Sequence, residues 1–219
     1  MDQEYLINRD KSFINKYKLK RRAENISEAL RILGEDKALS LLDVGSADGY
    51  LLSFLHKSLN VDKSVVIEPS FDCVKRRVST DLDLIVAVAE SMPFRDDSFD
   101  AIIAASVIDH LQDVGRFFRE SRRILRRKGL LAVTAIIPFY DRLANRFGVD
   151  NGLHPHVKTY SMGEIEEALR QHDFRVILAK RFALPSFGLM PFERQLELAL
   201  GKMHLNHLMF YSLVVGRKE

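Results

Sequence analysis

The chain has 219 residues, of which 47% are hydrophobic, and this suits a single domain over residues 1–219 with a substantial core. The formal charge of +3 is too small to indicate a nucleic-acid partner by itself. Cys73 is the only cysteine, which excludes intramolecular disulfides and favours a reducing compartment. No apolar run approaches the ~18 residues that span a bilayer, and residues 1–5 lack an apolar signal core. We therefore expect a cytoplasmic protein without membrane insertion.

Helical and strand-like stretches alternate along most of the chain. A helical segment is predicted within residues 1–37, because apolar side chains recur at helical spacing from 10 to 33. Strands that alternate with helices pair in parallel, with helices on both faces of the sheet. The pattern predicts, in chain order, strands near 39–44, 64–68, 83–88, 99–105 and 130–137, separated by helices near 49–59, 70–79 and 113–127. Beyond these it predicts an insertion at 139–160, a helix at 161–171, a strand at 174–181, a second insertion at 182–205 with a helix at 192–203, and a last strand at 207–216.

Residues Leu41–Tyr50 form an apolar strand that ends on Asp43 and breaks into a glycine-containing turn. Gly45 and Gly49 can adopt backbone conformations closed to other residues and let a ligand approach the main chain. The helix that follows points unpaired backbone N–H groups into the turn. A strand, a glycine turn and a helix in this order form the usual floor of a nucleotide-type pocket. Many α/β proteins contain such a turn, so the segments that follow have to show whether it belongs to a nucleotide-type pocket.

Glu68 lies at the end of the next apolar run, about 20 residues after Gly49, as a ribose-binding acid does in nucleotide-binding βαβ units. A carboxylate there can accept hydrogen bonds from both hydroxyls of one ribose. The alternative is an acid that caps the helix starting near Ser70, since carboxylates favour helix N-termini. Strand-end position and spacing agree independently and favour the ribose interpretation.

Three further segments complete a family pattern over roughly residues 38–180. Residues 41–49 are similar to the first motif of the class I S-adenosylmethionine-dependent methyltransferases, and Glu68 matches the acid that ends their second strand. Residues 89–100 resemble their Ala-Glu-x-Leu-Pro-Phe…Ser-Phe-Asp segment, and residues 107–111 and 120–125 resemble the stretch after strand four and the helix behind it. The chain thus resembles the small-molecule, methyltransferase type 11-like subgroup. The resemblance implies a Rossmann-like, seven-stranded, mostly parallel sheet with helices on both faces and an antiparallel last strand.

The resemblance also implies a cofactor, S-adenosylmethionine, and the residues that would hold it. Asp43 would hold the amino group of the methionine moiety, Glu68 the ribose hydroxyls, and Ala89 with Glu90 would border the adenine. The full set of expected cofactor-binding residues is Asp43, Gly45, Ser46, Ala47, Gly49, Glu68, Pro69, Ala89, Glu90 and Ser106. No metal site is expected.

The sequence departs from the family pattern at three places. Ala47 replaces the middle glycine of the Gly-x-Gly-x-Gly turn; a methyl group is tolerated there if the local φ is negative, so we expect slightly altered cofactor contact, not loss of binding. Val88 stands where many relatives have an aspartate that accepts from the adenine amino group, and that contact is missing unless Glu90 supplies it. Residues 126–129 replace a Lys-Pro-Gly-Gly turn away from the expected pocket.

Methyl transfer from a sulfonium requires mainly alignment and exclusion of water, and a general base only if the nucleophile carries a proton of high pKa. The candidate catalytic residues are His110, His154, His156 and Tyr160. A histidine in a surface loop is more often a capping or solvated residue than a base. His154 and His156 could share one side of an extended segment, but a metal is disfavoured because no third ligand is evident.

The leading functional hypothesis is a methyltransferase that acts on a small molecule. Arginines at 116–127 and a basic run at 16–22 keep an RNA-directed enzyme open, although a solvated helix face is the favoured interpretation of both. A dehydrogenase-type dinucleotide binder is disfavoured by Ala47 and by residues 93–100. Ala47 and Val88 keep a non-catalytic scaffolding module open. The apolar residues 187–192 suit an acceptor pocket, a homodimer contact or core packing.

Overall fold

A computed structural model of the chain describes residues 3–34, 37–76, 82–146, 158–185 and 192–219. Seven strands form one sheet: β1 (Leu39–Val44), β2 (Val61–Ile67), β3 (Asp83–Ile85), β4 (Phe99–Ala105), β5 (Leu125–Ile136), β6 (Phe174–Phe182) and β7 (Tyr211–Lys218). Their order is β3-β2-β1-β4-β5-β7-β6, and all neighbours are parallel except the two pairs made by β7. The structure confirms the predicted mostly parallel sheet with an antiparallel last strand.

Helices pack on both faces of the sheet, as predicted. The helices are α1 (Gln3–Lys11), α2 (Phe13–Leu30), α3 (Tyr50–Leu55), α4 (Phe71–Val74), α5 (Val114–Ile124), α6 (Pro138–Arg146), α7 (Met162–Gln171) and α8 (Glu193–Lys202). One core cluster joins α2 and α3 to the sheet and a second joins α5 and α7 to it. The central strands β4 and β5 are buried along nearly their whole length, which explains their continuous apolar sequence.

Several element boundaries differ from the sequence-based prediction; for example, α3 ends at Leu55 and not at 59, and β3 ends at Ile85 and not at 88. The helix expected to reach 127 ends at Ile124, and β5 already begins at Leu125, which pairs with Phe99. Lys128 has a φ of 65°, and a Cβ at Gly129 would lie 2.8 Å from a backbone carbonyl oxygen, so this turn replaces the last helical turn. The last strand begins at Tyr211 and not at 207, because residues 206–208 form a 3₁₀ turn.

The two predicted insertions each contain a helix. The first holds α6, and residues 147–157 lie outside the described part of the chain. The second holds α8, which confirms the helix predicted at 192–203; residues 186–191 are also outside the described part. α8 packs on α2 through a hydrogen bond from the Tyr17 hydroxyl to Glu193 (3.1 Å). The helix predicted at 161–171 is confirmed as α7.

The Arg-rich helix α5 is tied to its own surroundings by ion pairs. Arg123 donates to Asp96 (2.8 Å) and Glu120 (2.8 Å), and Arg126, just beyond the helix, pairs with Asp100 (2.6 Å). These ion pairs neutralise part of the positive charge that suggested an RNA-binding face. No helix within the described ranges is long and apolar enough to cross a membrane.

Candidate cofactor site

The turn between β1 and α3 has an unusual backbone. Gly45, Ala47 and Gly49 all have positive φ angles, of 69°, 60° and 81°, a region that disfavours side chains. A Cβ at Gly45 would lie 2.3 Å from Cγ2 of Val107. Glycine is therefore required at Gly45 both by the backbone angle and by the space available.

Ala47 does not have the negative φ that would let its methyl group fit without strain. Its φ is positive, so the methyl group carries the strain that a left-handed conformation imposes on an L-residue. Two contacts offset this strain. The Ala47 backbone N–H donates to Glu68 Oε2 (3.1 Å), and the residue is buried in a small cluster with Leu6 and Cys73.

Asp43, at the carboxyl end of β1, is fully buried. Within the described ranges, no group lies at hydrogen-bonding distance and angle to either of its carboxylate oxygens. Burial raises the pKa of Asp43 to about 7, while the nearby Ser46 hydroxyl and the charge of Arg22 lower it only in part. A buried carboxylate is costly unless it is paired. Asp43 is thus a buried acid whose charge the described residues compensate only in part.

Glu68, just beyond β2, ties the glycine turn to the next helix. Its two oxygens accept from the backbone N–H groups of Ala47 (3.1 Å) and Ser70 (3.1 Å), and Ser70 is the N-cap of α4. Burial raises the pKa of Glu68, and the two backbone hydrogen bonds offset this in part. Each carboxylate oxygen has a second lone pair, so the residue combines the capping role considered as an alternative with capacity for a ribose.

The end of β3 provides an apolar surface beside Glu68. Val86, Val88 and Phe71 are exposed by 49%, 47% and 59%, whereas Ala89 is buried. Glu90, which was considered as a substitute adenine ligand in place of the missing aspartate at Val88, already accepts from Gln112 N (3.0 Å) and Asp113 N (3.4 Å). That carboxylate therefore orders the start of α5. Pro69 lies between Glu68 and the cap of α4.

A cation from α2 lies at the same edge of the sheet. Arg22 is 8% exposed and donates to the backbone oxygen of Ala105 (3.3 Å), the last residue of β4. Among the described residues, the Nε of Arg22 has no hydrogen-bond partner. The next residue after β4, Ser106, has a φ of 58° and a buried hydroxyl without a partner in the described ranges.

The N-terminal helix α1 covers the glycine turn. Leu6 is fully buried against Ala47 and Cys73. Arg9 forms a bidentate ion pair with Asp48 (2.6 and 2.8 Å), and its guanidinium lies 4.6 Å from the centroid of the Tyr50 ring. Helix α1 thus covers the part of the turn that contains Ala47 and Asp48.

Comparisons with known proteins agree with this geometry. A family model described as a methyltransferase domain matches residues 42–133, the stretch from Asp43 to β5. The demethylmenaquinone methyltransferase of Thermotoga maritima is 43% identical over 58 residues, which make up 26% of this chain and 25% of that protein. The ubiquinone biosynthesis O-methyltransferase of Pelagibacter ubique is 25% identical over 122 residues, 52% of this chain and 50% of that protein. The chain spans half or less of the length of these two curated relatives.

The fold itself is shared over the whole chain. A methyltransferase from Aquifex aeolicus, described as S-adenosylmethionine-dependent, superimposes with a TM-score of 0.68 at 14% identity, and the match covers 100% of both chains. Residues 42–133 thus match a methyltransferase-domain family, and the chain has the fold of the class I methyltransferases. In this fold, the strand-end acids and the glycine turn lie where ligands of open α/β sheets bind, beyond the carboxyl ends of the strands.

The fold places two of the four candidate catalytic residues, His110 and Tyr160, near each other. His110 ends a 3₁₀ turn after β4 and is half-buried. Asp109, the residue before His110, joins this turn to the segment that contains Tyr160. Its side chain accepts from the backbone N–H of Tyr160 (3.2 Å), and its carbonyl accepts from the backbone N–H of Lys158 (3.4 Å). His154 and His156 lie outside the described residues. Within the described ranges, no three His, Cys, Asp or Glu side chains are grouped as a metal site requires.

Sequence reasoning missed two contributions from the N-terminal part of the chain. The basic run at 16–22 was interpreted as a solvated face, yet Arg21 and Arg22 are buried. The signal was present, because Arg22 falls within the apolar stripe of α2 formed by Leu19, Ala23 and Ile26. Leu6 and Arg9 gave no such signal, since their partners are about 40 residues away in the chain.

Proposed function

We propose that the protein transfers the methyl group of S-adenosylmethionine to a small-molecule acceptor by in-line displacement. The observation that supports this most is the unpaired, buried carboxylate of Asp43. The methionine moiety carries an ammonium and a carboxylate, and Asp43 and Arg22 offer one opposite charge for each. The residues present therefore fit the cofactor.

Each remaining residue of the site has a task in this proposal. Glu68 would accept from the ribose hydroxyls with its free lone pairs. The exposed apolar side chains of Val86, Val88 and Phe71 would contact the adenine ring. The cofactor supplies a methyl group already activated on a sulfonium. The protein then has to orient the acceptor and exclude water, and His110, at the end of the turn after β4, is our candidate for taking a proton.

A small-molecule acceptor is supported by the names of two relatives. One is a demethylmenaquinone methyltransferase and the other an O-methyltransferase of ubiquinone biosynthesis. Both names refer to small molecules that contain a ring with oxygen substituents. We take this chemistry, and neither compound itself, as the guide to the acceptor.

Calorimetric titration tests the cofactor half of the proposal. S-adenosylmethionine should bind the wild-type protein, NADH should not, and Glu68→Gln should weaken S-adenosylmethionine binding by about tenfold, since a charged acceptor contributes about 1.5–3 kcal/mol to a hydrogen bond. Binding of NADH without any heat from S-adenosylmethionine would contradict it. The transfer half is tested with methyl-deuterated S-adenosylmethionine and a pool of metabolites, in which mass spectrometry should detect a labelled product.

A further inference from the structure

Helix α2 has basic residues on two of its faces. On one face, Arg21 forms ion pairs with Glu24 (2.8 Å) and Glu197 of α8. Tyr17, one turn earlier, donates to Glu193 of α8. The charges of this face are matched by acids, so it serves to attach α8 to α2.

The other face of α2 has cations against aromatic rings. The Lys18 Nζ lies 5.4 Å from the centroid of the Phe210 ring, and the Arg22 guanidinium carbon lies 5.4 Å from that of Tyr211. Residues four apart are neighbours on a helix surface, about 5–6 Å between their Cβ atoms. Burial and the charge of Arg22 together lower the pKa of Lys18 to about 8. Lys18 therefore lies in a poorly hydrated setting next to the cation that we assign to the cofactor.

The rings form a continuous surface at the edge of the sheet where the cofactor site lies. Phe210 is 5.1 Å from Tyr140 and 4.8 Å from Tyr211, and Tyr140 is 5.2 Å from Phe139, all between ring centroids. The Ile137 backbone donates to the Phe210 carbonyl (3.0 Å), which places the rings just beyond the carboxyl end of β5. Phe139 is 56% exposed. An aromatic molecule can thus reach this surface and stack on it.

We propose that Lys18, together with the rings of Phe210 and Tyr140, binds the methyl acceptor, and that this acceptor is an aromatic molecule with an anionic oxygen. The inference rests on the proposed function, because it uses Arg22 and the end of β4 to mark where the methyl group is delivered. The ring surface selects an aromatic molecule, and the ammonium of Lys18 selects the negatively charged form of its oxygen substituent. The anion is a phenolate or a carboxylate on the ring.

Binding of 4-nitrocatechol tests the inference without turnover, because its visible absorption differs between the phenol and the phenolate. At a pH below the first pKa of the free probe, the wild-type protein with S-adenosylhomocysteine should bind it as the phenolate. Lys18→Met should weaken binding about 10-fold to 100-fold and abolish the spectral shift, as expected for the loss of a charge-assisted contact. Lys18→Arg should retain both.

A matched control is available on the same helix. Lys20 has a side chain that is 58% exposed, and Lys20→Met should leave probe binding unchanged. A second pair of probes, 3,4-dihydroxybenzoate and its methyl ester, distinguishes the two anions: a preference of tenfold or more for the acid, lost in Lys18→Met, identifies a carboxylate.

Calorimetry with S-adenosylmethionine separates failure of this inference from failure of the proposed function. If the wild-type protein and Lys18→Met bind the cofactor equally, the fold and the cofactor site are intact in both. Absence of both the phenolate shift and the preference for the acid, or equal effects in Lys18→Met and Lys20→Met, would then overturn the role of Lys18. Absence of cofactor binding to the wild-type protein would instead overturn the proposed function.

Discussion

An aspartate is buried at each end of the sheet, and the two differ in how far their negative charge is compensated by hydrogen bonds and ion pairs. At the amino end of β4, Asp100 accepts hydrogen bonds from Lys37 Nζ (2.7 Å), Ser40 N (2.9 Å) and Arg126 Nη1 (2.6 Å). Burial alone would raise the pKa of Asp100, but these partners lower it below its ordinary value. At the carboxyl end of β1, Asp43 is buried at least as deeply without equivalent partners, and its pKa is raised to about 7.

Asp100 thus holds parts of the fold together, whereas we propose that Asp43 binds a ligand. The cost of burying a charge has to be offset by partners. For Asp100 the partners are residues of this chain, which join the segment before β1 and the start of β5 to β4. For Asp43 we expect the partner to be the ammonium group of the cofactor. The predictions below test this contrast.

The largest expected effect is on cofactor affinity. Asp43→Asn keeps the shape of the side chain but removes its charge, and we expect the affinity for S-adenosylmethionine to fall about 100-fold or more, since loss of one member of a buried charge pair costs about 2–5 kcal/mol. Isothermal titration calorimetry measures this. Asp100→Asn serves as the control and should bind the cofactor within about twofold of the wild-type protein.

Asp100→Asn should lower the stability of the fold and leave cofactor affinity nearly unchanged. Its three partners lose an acceptor charge, so the free energy of unfolding should fall by about 2–3 kcal/mol, less than for a fully buried pair because Lys37 and Arg126 are half exposed. Urea denaturation of the ligand-free protein measures this. If Asp100→Asn lowered cofactor affinity as much as Asp43→Asn, the proposed division between the two ends of the sheet would be wrong.

Much of this architecture could be predicted from the sequence, because it depends on local patterns. Apolar runs such as residues 101–105 predict strands buried on both faces, and their alternation with helices predicts parallel pairing. Asp43 and Glu68 could be placed at the same edge of the sheet, since each ends a strand. The sequence also indicated the turn in which Gly45 has no room for a side chain.

What could not be predicted depends on contacts between distant segments. Arg22 faces the end of β4, 83 residues away in the chain, and no local pattern specifies that approach. Leu6 reaches the glycine turn for the same reason. The φ of Ala47 was expected to be negative if the methyl group was to be tolerated; it is positive, and its compensation by Leu6 and Glu68 comes from tertiary packing. The assignments of His154 and His156 lie outside the described residues and stay predictions.

A smaller effect concerns pH. The folded-state pKa of Asp43, about 7, is above the ordinary value of 3.8, so the proton on Asp43 stabilises the ligand-free fold. This stability is fully present below about pH 4 and is lost as the pH rises through 7. Cofactor affinity should change the other way and rise about fivefold to tenfold from about pH 6 to 7.5, because the ionised carboxylate is the form that pairs with an ammonium.

The matched control for this pH effect is Asp43→Asn, whose residual affinity should vary much less over the same range. Thermal unfolding of the ligand-free variant should likewise lose the part of its pH dependence that Asp43 contributes. Calorimetric titrations at three pH values measure the first effect. An affinity of the wild-type protein that fell as Asp43 ionised would contradict the proposed pairing with the ammonium group.

The smallest expected effect concerns the one irregular position of the glycine turn. Ala47→Gly removes about 1 kcal/mol of left-handed strain, but it also removes a methyl group that packs beside Leu6 and Cys73, worth about 0.8 kcal/mol, and gives the unfolded chain more freedom. The free energy of unfolding should therefore change by less than about 1 kcal/mol, and cofactor affinity by less than about threefold. The reciprocal variant Gly45→Ala should be far more harmful, because its Cβ would lie 2.3 Å from the Val107 side chain. A large stabilisation by Ala47→Gly would mean that α1 does not compensate the strain, and the cover over the turn would then have to be held by Arg9 and Asp48 alone.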